Sequence, residues 1–177
     1  MRVTGGVLLG RRAVTPPGTI RPAMDRMRES VFAVLGDISG RSFLDLFTGS
    51  GIVALEAASR GAVPVEAVEM DVQKRRVLLE NAAIAPVRIN CRFMAAELYI
   101  RRAKQAFDYI FCDPPFPYRF RGELAAAIAA SPLVRETSLL VMHRPREDDP
   151  GSDARGLVLA DRREYGRSVV DFWRVKQ

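Results

Sequence analysis

From residue 42 onward the chain repeats one unit, a short apolar run followed by a turn and a stretch with helical spacing. Runs at Ser42–Phe47, Val63–Met70, Val87–Phe93, Phe107–Cys112 and Ser138–His143 read as buried strands. Stretches at Ile52–Arg60, Val72–Asn81, Ala95–Lys104 and Glu123–Ala130 read as the helices between them, with Asp71 a natural N-cap for the second. Strands separated by helices need crossovers, so they lie parallel, buried on both faces. That excludes an all-helical bundle or a β-sandwich and predicts an α/β fold with helices on both faces of the sheet. Two further runs, Leu157–Arg163 and Ser168–Val175, flank Tyr165-Gly166 and are expected to pair antiparallel. Between them and the fifth strand, Arg144–Gly156 is rich in Pro, Asp and Arg and reads as a surface loop.

The first 20 residues differ in kind. Gly5-Gly6, Gly10 and Pro16-Pro17-Gly18 break them into short pieces, which predicts a β-hairpin or extended arm. A helix is expected from Arg21 to Leu35, with Met24, Met27, Val31 and Leu35 on its inner stripe and Gly36 past its end. The division is therefore a basic arm at 1–20 and a single domain at 21–177. Arg2, Arg11, Arg12, Arg21, Arg26 and Arg28 crowd this end of the chain against Asp25 alone. Such a cluster suits phosphates, and a solvated basic face is its plain alternative.

Composition narrows the setting. The chain has 177 residues, 48% of them hydrophobic, and a net charge of +6, consistent with a polyanionic partner. No apolar run approaches the roughly 18 residues of a membrane span, and the start lacks a secretory h-region, so a cytoplasmic protein without a membrane partner is expected. One histidine, His143, and two cysteines, Cys91 and Cys112, supply no usual zinc site, so no metal is expected. The cysteines read as buried free thiols. His143 ends a strand with no obvious partner and reads as structural. Nothing in the sequence demands more than a monomer.

Two segments carry chemistry. Asp45-Leu-Phe47-Thr48-Gly49-Ser50-Gly51 joins the first strand to a helix N-terminus, where glycine permits positive φ and free N–H groups face a ligand. Glu69 follows Gly49 by 20 residues, at the end of the second strand, where a carboxylate can take both ribose hydroxyls. Gly49 to Ala54 also fits the dinucleotide pattern G-x-G-x-x-A, so a nicotinamide cofactor and a purely structural turn both stand as alternatives. Asp45 just upstream would repel a pyrophosphate and suits the sulfonium and ammonium of S-adenosylmethionine.

The second segment is Asp113-Pro114-Pro115-Phe116, directly after the fourth strand. Two prolines fix φ and donate no N–H, leaving a rigid loop with carbonyls free to accept. With the Asp113 carboxylate they can hold both hydrogens of an exocyclic amine, and Phe116 can stack on its ring. A simple strand terminator is the alternative, since Asp and Pro are ordinary turn residues. Ligands of open α/β sheets bind beyond the carboxyl ends of the strands where their order reverses. The first and fourth strands meeting there would bring both segments into one pocket.

Arg21-Pro22-x-x-Asp25-Arg26-x-Arg28-Glu29-Ser30-x-Phe32, Leu44-Asp45-Leu46-Phe47-x-Gly49-Ser50-Gly51, Glu56-Ala-x-Ser59-Arg60-Gly61-Ala62 and Asp113-Pro114-Pro115-Phe116 together resemble the RsmD family of 16S rRNA (guanine-N2)-methyltransferases. Arg2-Val-x-Gly5-Gly6 and Tyr165-Gly166 are similar too, so the likeness spans almost the whole chain. The resemblance implies a Rossmann-like class I methyltransferase fold of seven strands. It implies S-adenosylmethionine as donor, and N2 of a guanine in 16S rRNA, within the small subunit or an assembly intermediate, as acceptor. It makes Asp113, Pro114, Pro115 and Phe116 catalytic. Asp45, Phe47, Thr48, Gly49, Ser50, Gly51 and Glu69 become donor-binding, with Arg26 and Glu29 near the methionine end. Arg2, Arg11, Arg12, Arg21 and Arg28 would hold RNA. Phe93-Met94-Ala95 departs from the polar residue that such enzymes place against adenine. Met94 and Met70 are apolar candidates for that ring, with core packing the alternative for each. An adenine or cytosine amino-methyltransferase, and a non-catalytic RNA-binding assembly factor, remain alternative readings.

Overall fold

The computed structural model describes residues 1–15, 22–149 and 155–176. Among the described residues seven strands form one sheet: β1 Phe43–Leu46, β2 Val65–Val68, β3 Ile89–Arg92, β4 Tyr109–Cys112, β5 Leu139–Pro145, β6 Leu157–Tyr165 and β7 Ser168–Val175. Their order is β3-β2-β1-β4-β5-β7-β6. The first five pair in parallel, and β7 lies antiparallel between β5 and β6. This is the mostly parallel, seven-stranded Rossmann-like sheet expected above.

Of the described residues, five helices cover it: α1 Pro22–Leu35, α2 Ile52–Ser59, α3 Arg75–Ala83, α4 Ala96–Arg102 and α5 Arg121–Ala129. Successive strand side chains point to opposite faces, which divides the core in two. Phe43 and Phe111 join α1, α2 and α3 on one face, with Val31, Phe32, Leu55 and Leu78. Leu44, Leu46, Ile110 and Cys112 meet Ala96 and Ile100 of α4 and Leu124 and Ile128 of α5 on the other. Among the described residues no helix is long and apolar enough to cross a membrane.

Helix 72–81 divides into a single 3-10 turn, Val72–Lys74, and α3. Asp71 caps that turn by accepting the Gln73 N–H at 2.9 Å. Cys112 is fully buried, which pushes its thiol well above the ordinary range, whereas Cys91 is half-buried. Of the expected surface loop, Arg144 and Pro145 belong to β5, and both are buried.

The described part of the N-terminal segment is no loose arm. It closes on itself through the Arg2–Arg12 bridge and inserts Val3 and Ala13 into the core. Its backbone is tied to Glu56, which is fully buried and accepts from Thr4 N at 2.8 Å and Thr4 Oγ1 at 2.7 Å. Gly6 abuts α2 so closely that a Cβ there would lie 2.0 Å from the Ser59 carbonyl oxygen. Tyr165 donates to Ser30 Oγ at 2.5 Å, tying the β6–β7 turn to α1.

Arg28 corrects an expectation. Only 2% exposed, it donates to Glu56 Oε2 at 3.2 Å, to Asp25 Oδ1 at 3.1 Å and to the Arg2 carbonyl, so it cannot face RNA. The shape of the N-terminal fold, not the phosphate partner, explains this arginine. Arg28→Ala removes one of the two arginines paired with the buried Glu56 and leaves Arg60, at a cost of about 3 kcal/mol. The melting temperature should fall by roughly 10 °C. An unchanged melting temperature with weakened RNA binding would return Arg28 to the RNA face. Arg2, Arg11 and Arg12 are exposed, and Arg21 lies outside the described residues.

Candidate active site

β1 and β4 are neighbours from which the chain turns to opposite sides of the sheet. Leu46 pairs with Cys112, and Asp113 N donates to the Leu46 carbonyl at 3.3 Å. The glycine turn and the double-proline loop therefore leave the sheet side by side, as open α/β sheets require of a ligand site.

The turn is conformationally demanding. Gly49 and Gly51 have φ of 60° and 80°, and Phe47, a bulky residue, has φ of 59°. A bulky side chain in that region is an outlier worth about 1–3 kcal/mol. Phe47 is held there by its edge contact with Tyr118, at 5.6 Å between centroids, and by the Thr48 N–H bond to Val68 at 3.0 Å. Asn81, 1% exposed on α3, donates to the Ser50 carbonyl at 2.8 Å and also binds both backbone groups of Val14. A single side chain thus joins the turn, α3 and the N-terminal segment. A buried asparagine in a helix signals such a tie, but its partners cannot be read from spacing.

Three carboxylates surround the turn. Glu69, 5% exposed, accepts Gly49 N through Oε2 and Asp71 N through Oε1, each at 2.8 Å. One lone pair on each oxygen remains for another donor. Asp45, 1% exposed, accepts from the Thr48 hydroxyl and from Ala54 N at 3.1 Å. The N-terminus of α2, expected to offer free N–H groups to a ligand, thus spends one N–H on Asp45. Burial pushes the Asp45 carboxyl up to about 7; Thr48 and Ala54 oppose the rise, and the charges of Asp113 and Glu69 add to it. A group so placed favours a cationic ligand over a pyrophosphate.

On the β4 side, Asp113 Oδ1 lies 2.8 Å from His143 Nδ1. His143 is thus partnered, 3% exposed and two residues inside β5, contrary to its reading as an unpartnered strand end. Pro114 is buried, while Pro115 and Phe116 are exposed, with the Phe116 ring 5.8 Å from that of His143. The loop carbonyls are not all free. Arg121, 1% exposed at the start of α5, donates to the carbonyls of Pro115 at 2.8 Å and Phe116 at 3.3 Å, and to that of Tyr118. It also pairs with Asp148 at 2.5 Å, and reaches the Pro114 carbonyl only at 3.5 Å. The Pro114 oxygen is therefore the least engaged of the four. A cation in the first turn opposes the helix dipole, and that mismatch was the one available signal for Arg121.

The expected adenine side is mixed. Met70 is 63% exposed, which rules out its core alternative, and Met94 is half-buried against the α4–α5 core. Tyr118 donates to Glu97 Oε1 at 2.8 Å, linking the β4 loop to α4. Arg26 and Glu29 are exposed on α1. Buried carboxylates beside glycine-permitted backbone can hold a cationic, ribose-bearing ligand, and the β4 loop can hold an amine facing it.

Comparison with known proteins agrees with this fold. The family described as Conserved hypothetical protein 95 matches residues 1–174. The YlbH protein of Bacillus subtilis is 30% identical over 182 residues, covering 98% of each chain. Ribosomal RNA small subunit methyltransferase D of Escherichia coli is 35% identical over 121 residues, 66% of this chain and 60% of that protein. Among solved structures, a hypothetical protein of Thermus thermophilus superposes with a TM-score of 0.84 at 31% identity, covering 99% of each chain. The yhhF protein of Escherichia coli reaches a TM-score of 0.89 at 25% identity, over 99% of this chain and 98% of that one.

Proposed function

As this chain belongs to the RsmD family, the one described as Conserved hypothetical protein 95, we propose that it methylates the N2 amine of a guanine in 16S ribosomal RNA. It is an S-adenosylmethionine-dependent methyltransferase. The observation that carries the reading is the meeting of the Gly49–Gly51 turn and the Asp113–Phe116 loop at the β1–β4 switch point. When bound, the donor supplies an electrophilic methyl group on a sulfonium.

The donor set fits that group. Asp45 offers a buried carboxylate to its positive charges, Glu69 has lone pairs for ribose hydroxyls, and Gly49 leaves open space where a Cβ would stand. Phe47, Thr48, Ser50 and Gly51 shape the same turn, and the exposed Met70 and half-buried Met94 offer apolar contact to the purine. Arg26 and Glu29 serve the methionine end on the family likeness.

On the acceptor side, Asp113 Oδ2 accepts one amine hydrogen and the Pro114 carbonyl the other. Phe116, 46% exposed, stacks on the base. Accepting both hydrogens localises the nitrogen lone pair and aims it, so the gain comes from positioning and local charge rather than from a strong base. The proton leaves through Asp113 or water. A base within folded RNA must turn out of its stack, so a loop guanine is the natural target, bound through Arg2, Arg11 and Arg12. We place the reaction in the cytoplasm, on the small subunit or an assembly intermediate, with a monomeric enzyme.

The test is incubation with labelled donor and small subunits lacking modification, followed by mass spectrometry of the labelled nucleotide. One guanine carrying label at N2 is expected. Label on adenine or cytosine, transfer to naked DNA, or RNA binding without donor binding would overturn the reading.

Asp45 adds a pH signature. Its folded value of about 7 lies above the unfolded 3.8, so its contribution to stability is whole below pH 3.8 and is lost as pH rises towards 7. A cationic donor prefers the ionised form, so donor affinity should rise up to about tenfold per pH unit below 7. Calorimetry in buffers of different ionisation heat should detect proton release on binding. Asp45→Asn should flatten that dependence, and a wild-type affinity independent of pH would exclude the role.

A further inference from the structure

His143 is a buried titratable group beside the acceptor loop that the reaction above leaves unused. Its Nδ1 lies 2.8 Å from Asp113 Oδ1, and its Nε2 is buried with no hydrogen-bond partner among the described residues. Only a ring proton on Nδ1 makes that contact a hydrogen bond to an ionised carboxylate. In the uncharged ring the proton therefore sits on Nδ1, and Nε2 is a bare acceptor. A protonated Nε2 would bury an unsatisfied donor, the costlier arrangement.

We propose that His143 is a positioning residue for Asp113: its Nδ1–H fixes Oδ1 and so sets the rotation of the carboxylate that presents Oδ2 to the substrate amine. Without it, the half-buried carboxylate (28% exposed) rotates and meets the amine in competing geometries. The neighbours hold the imidazole for this task. Phe116 lies against its ring at 5.8 Å, and β5 pairs His143 with Val170 of β7, so the ring sits on the central sheet rather than on a loop. His143 cannot take the proton that Asp113 acquires, because Nδ1 already carries one. It orients without relaying. Its effect is on turnover, since the donor carboxylates Asp45 and Glu69 lie in other bonds.

The inference rests on the methyltransferase reading, and its test has an arm that does not. His143 is the only histidine in the chain, so long-range proton–nitrogen NMR of the free protein gives a single imidazole signal set. The expected pattern for the uncharged ring is Nδ1 protonated and Nε2 bare, lost in Asp113→Ala. A ring whose single proton sits on Nε2 would overturn the proposal whatever the substrate proves to be.

The second arm is a kinetic cycle on small subunits. His143→Leu should lower kcat at least tenfold with donor affinity within twofold. His143→Asn, whose amide N–H falls about where Nδ1 does, should recover most of that loss. In the Asp113→Ala background, His143→Leu should cost nothing further. Additive losses, or an Asn variant as impaired as Leu, would overturn the orienting role. No transfer by the wild type, with the expected NMR pattern intact, would count against the substrate and not against the Asp113–His143 bond.

Discussion

Asp113→Ala should lower methyl transfer by about 100-fold or more while leaving donor affinity within a few-fold of wild type. Preorganised groups aimed at a reacting centre are worth on the order of 10²–10³ in kcat when one is removed. The separation of effects follows from the bonding. Asp113 contacts His143 and the β1 backbone, whereas Glu69 and Asp45 hold the glycine turn. Removing the Asp113 charge also relieves some of the pressure on Asp45, whose carboxyl it helps to push up. Donor binding in Asp113→Ala should then titrate at slightly lower pH. Single-turnover rates on saturated enzyme and calorimetry of the donor separate the two quantities. Near-wild-type turnover would remove Asp113 from the chemistry.

Arg121→Ala should be the most damaging substitution outside the reacting groups. Its guanidinium is buried, spans the carbonyls of Pro115, Phe116 and Tyr118, and pairs with Asp148. Deleting it strips those carbonyls of charged hydrogen bonds worth about 1.5–3 kcal/mol each, while Asp148, 35% exposed, is rehydrated and adds little. The melting temperature should drop by roughly 10 °C. Below that temperature kcat should still fall, since the loop that presents the Pro114 oxygen and Phe116 loses its anchor. A displacement of about 1 Å in a positioned group can cost about 100-fold. Arg121→Lys keeps the charge but loses the planar fork and should recover only part of either effect. A variant with normal melting and normal turnover would mean the loop is held by its prolines alone.

Much of this could be read without coordinates, because the features concerned are local. Strands buried on both faces must be apolar throughout, as Phe43–Leu46 and Tyr109–Cys112 largely are, and a sharp strand-to-helix turn must carry glycine where φ is positive. The parallel sheet, the Gly49–Gly51 turn and the rigidity of Asp113-Pro114-Pro115 follow from those rules. A charge count, by contrast, has no direction. Arg28 and Arg12 belong to the same basic cluster, yet one is buried against Glu56 and the other is exposed, and only the docking of the N-terminal segment onto α2 separates them.

The sequence by itself determined the α/β class, the two loops that bear the chemistry, and the residue types at their tips, since each depends on neighbours a few positions apart. Only the tertiary structure decided which distant side chains complete the site. His143 meets Asp113 across 30 residues, Asn81 meets Ser50 across 31, and Arg121 meets Asp148 across 27. Hydrogen bonds and buried ion pairs depend on distances of a few ångströms, which sheet order and helix packing set and sequence periodicity does not encode.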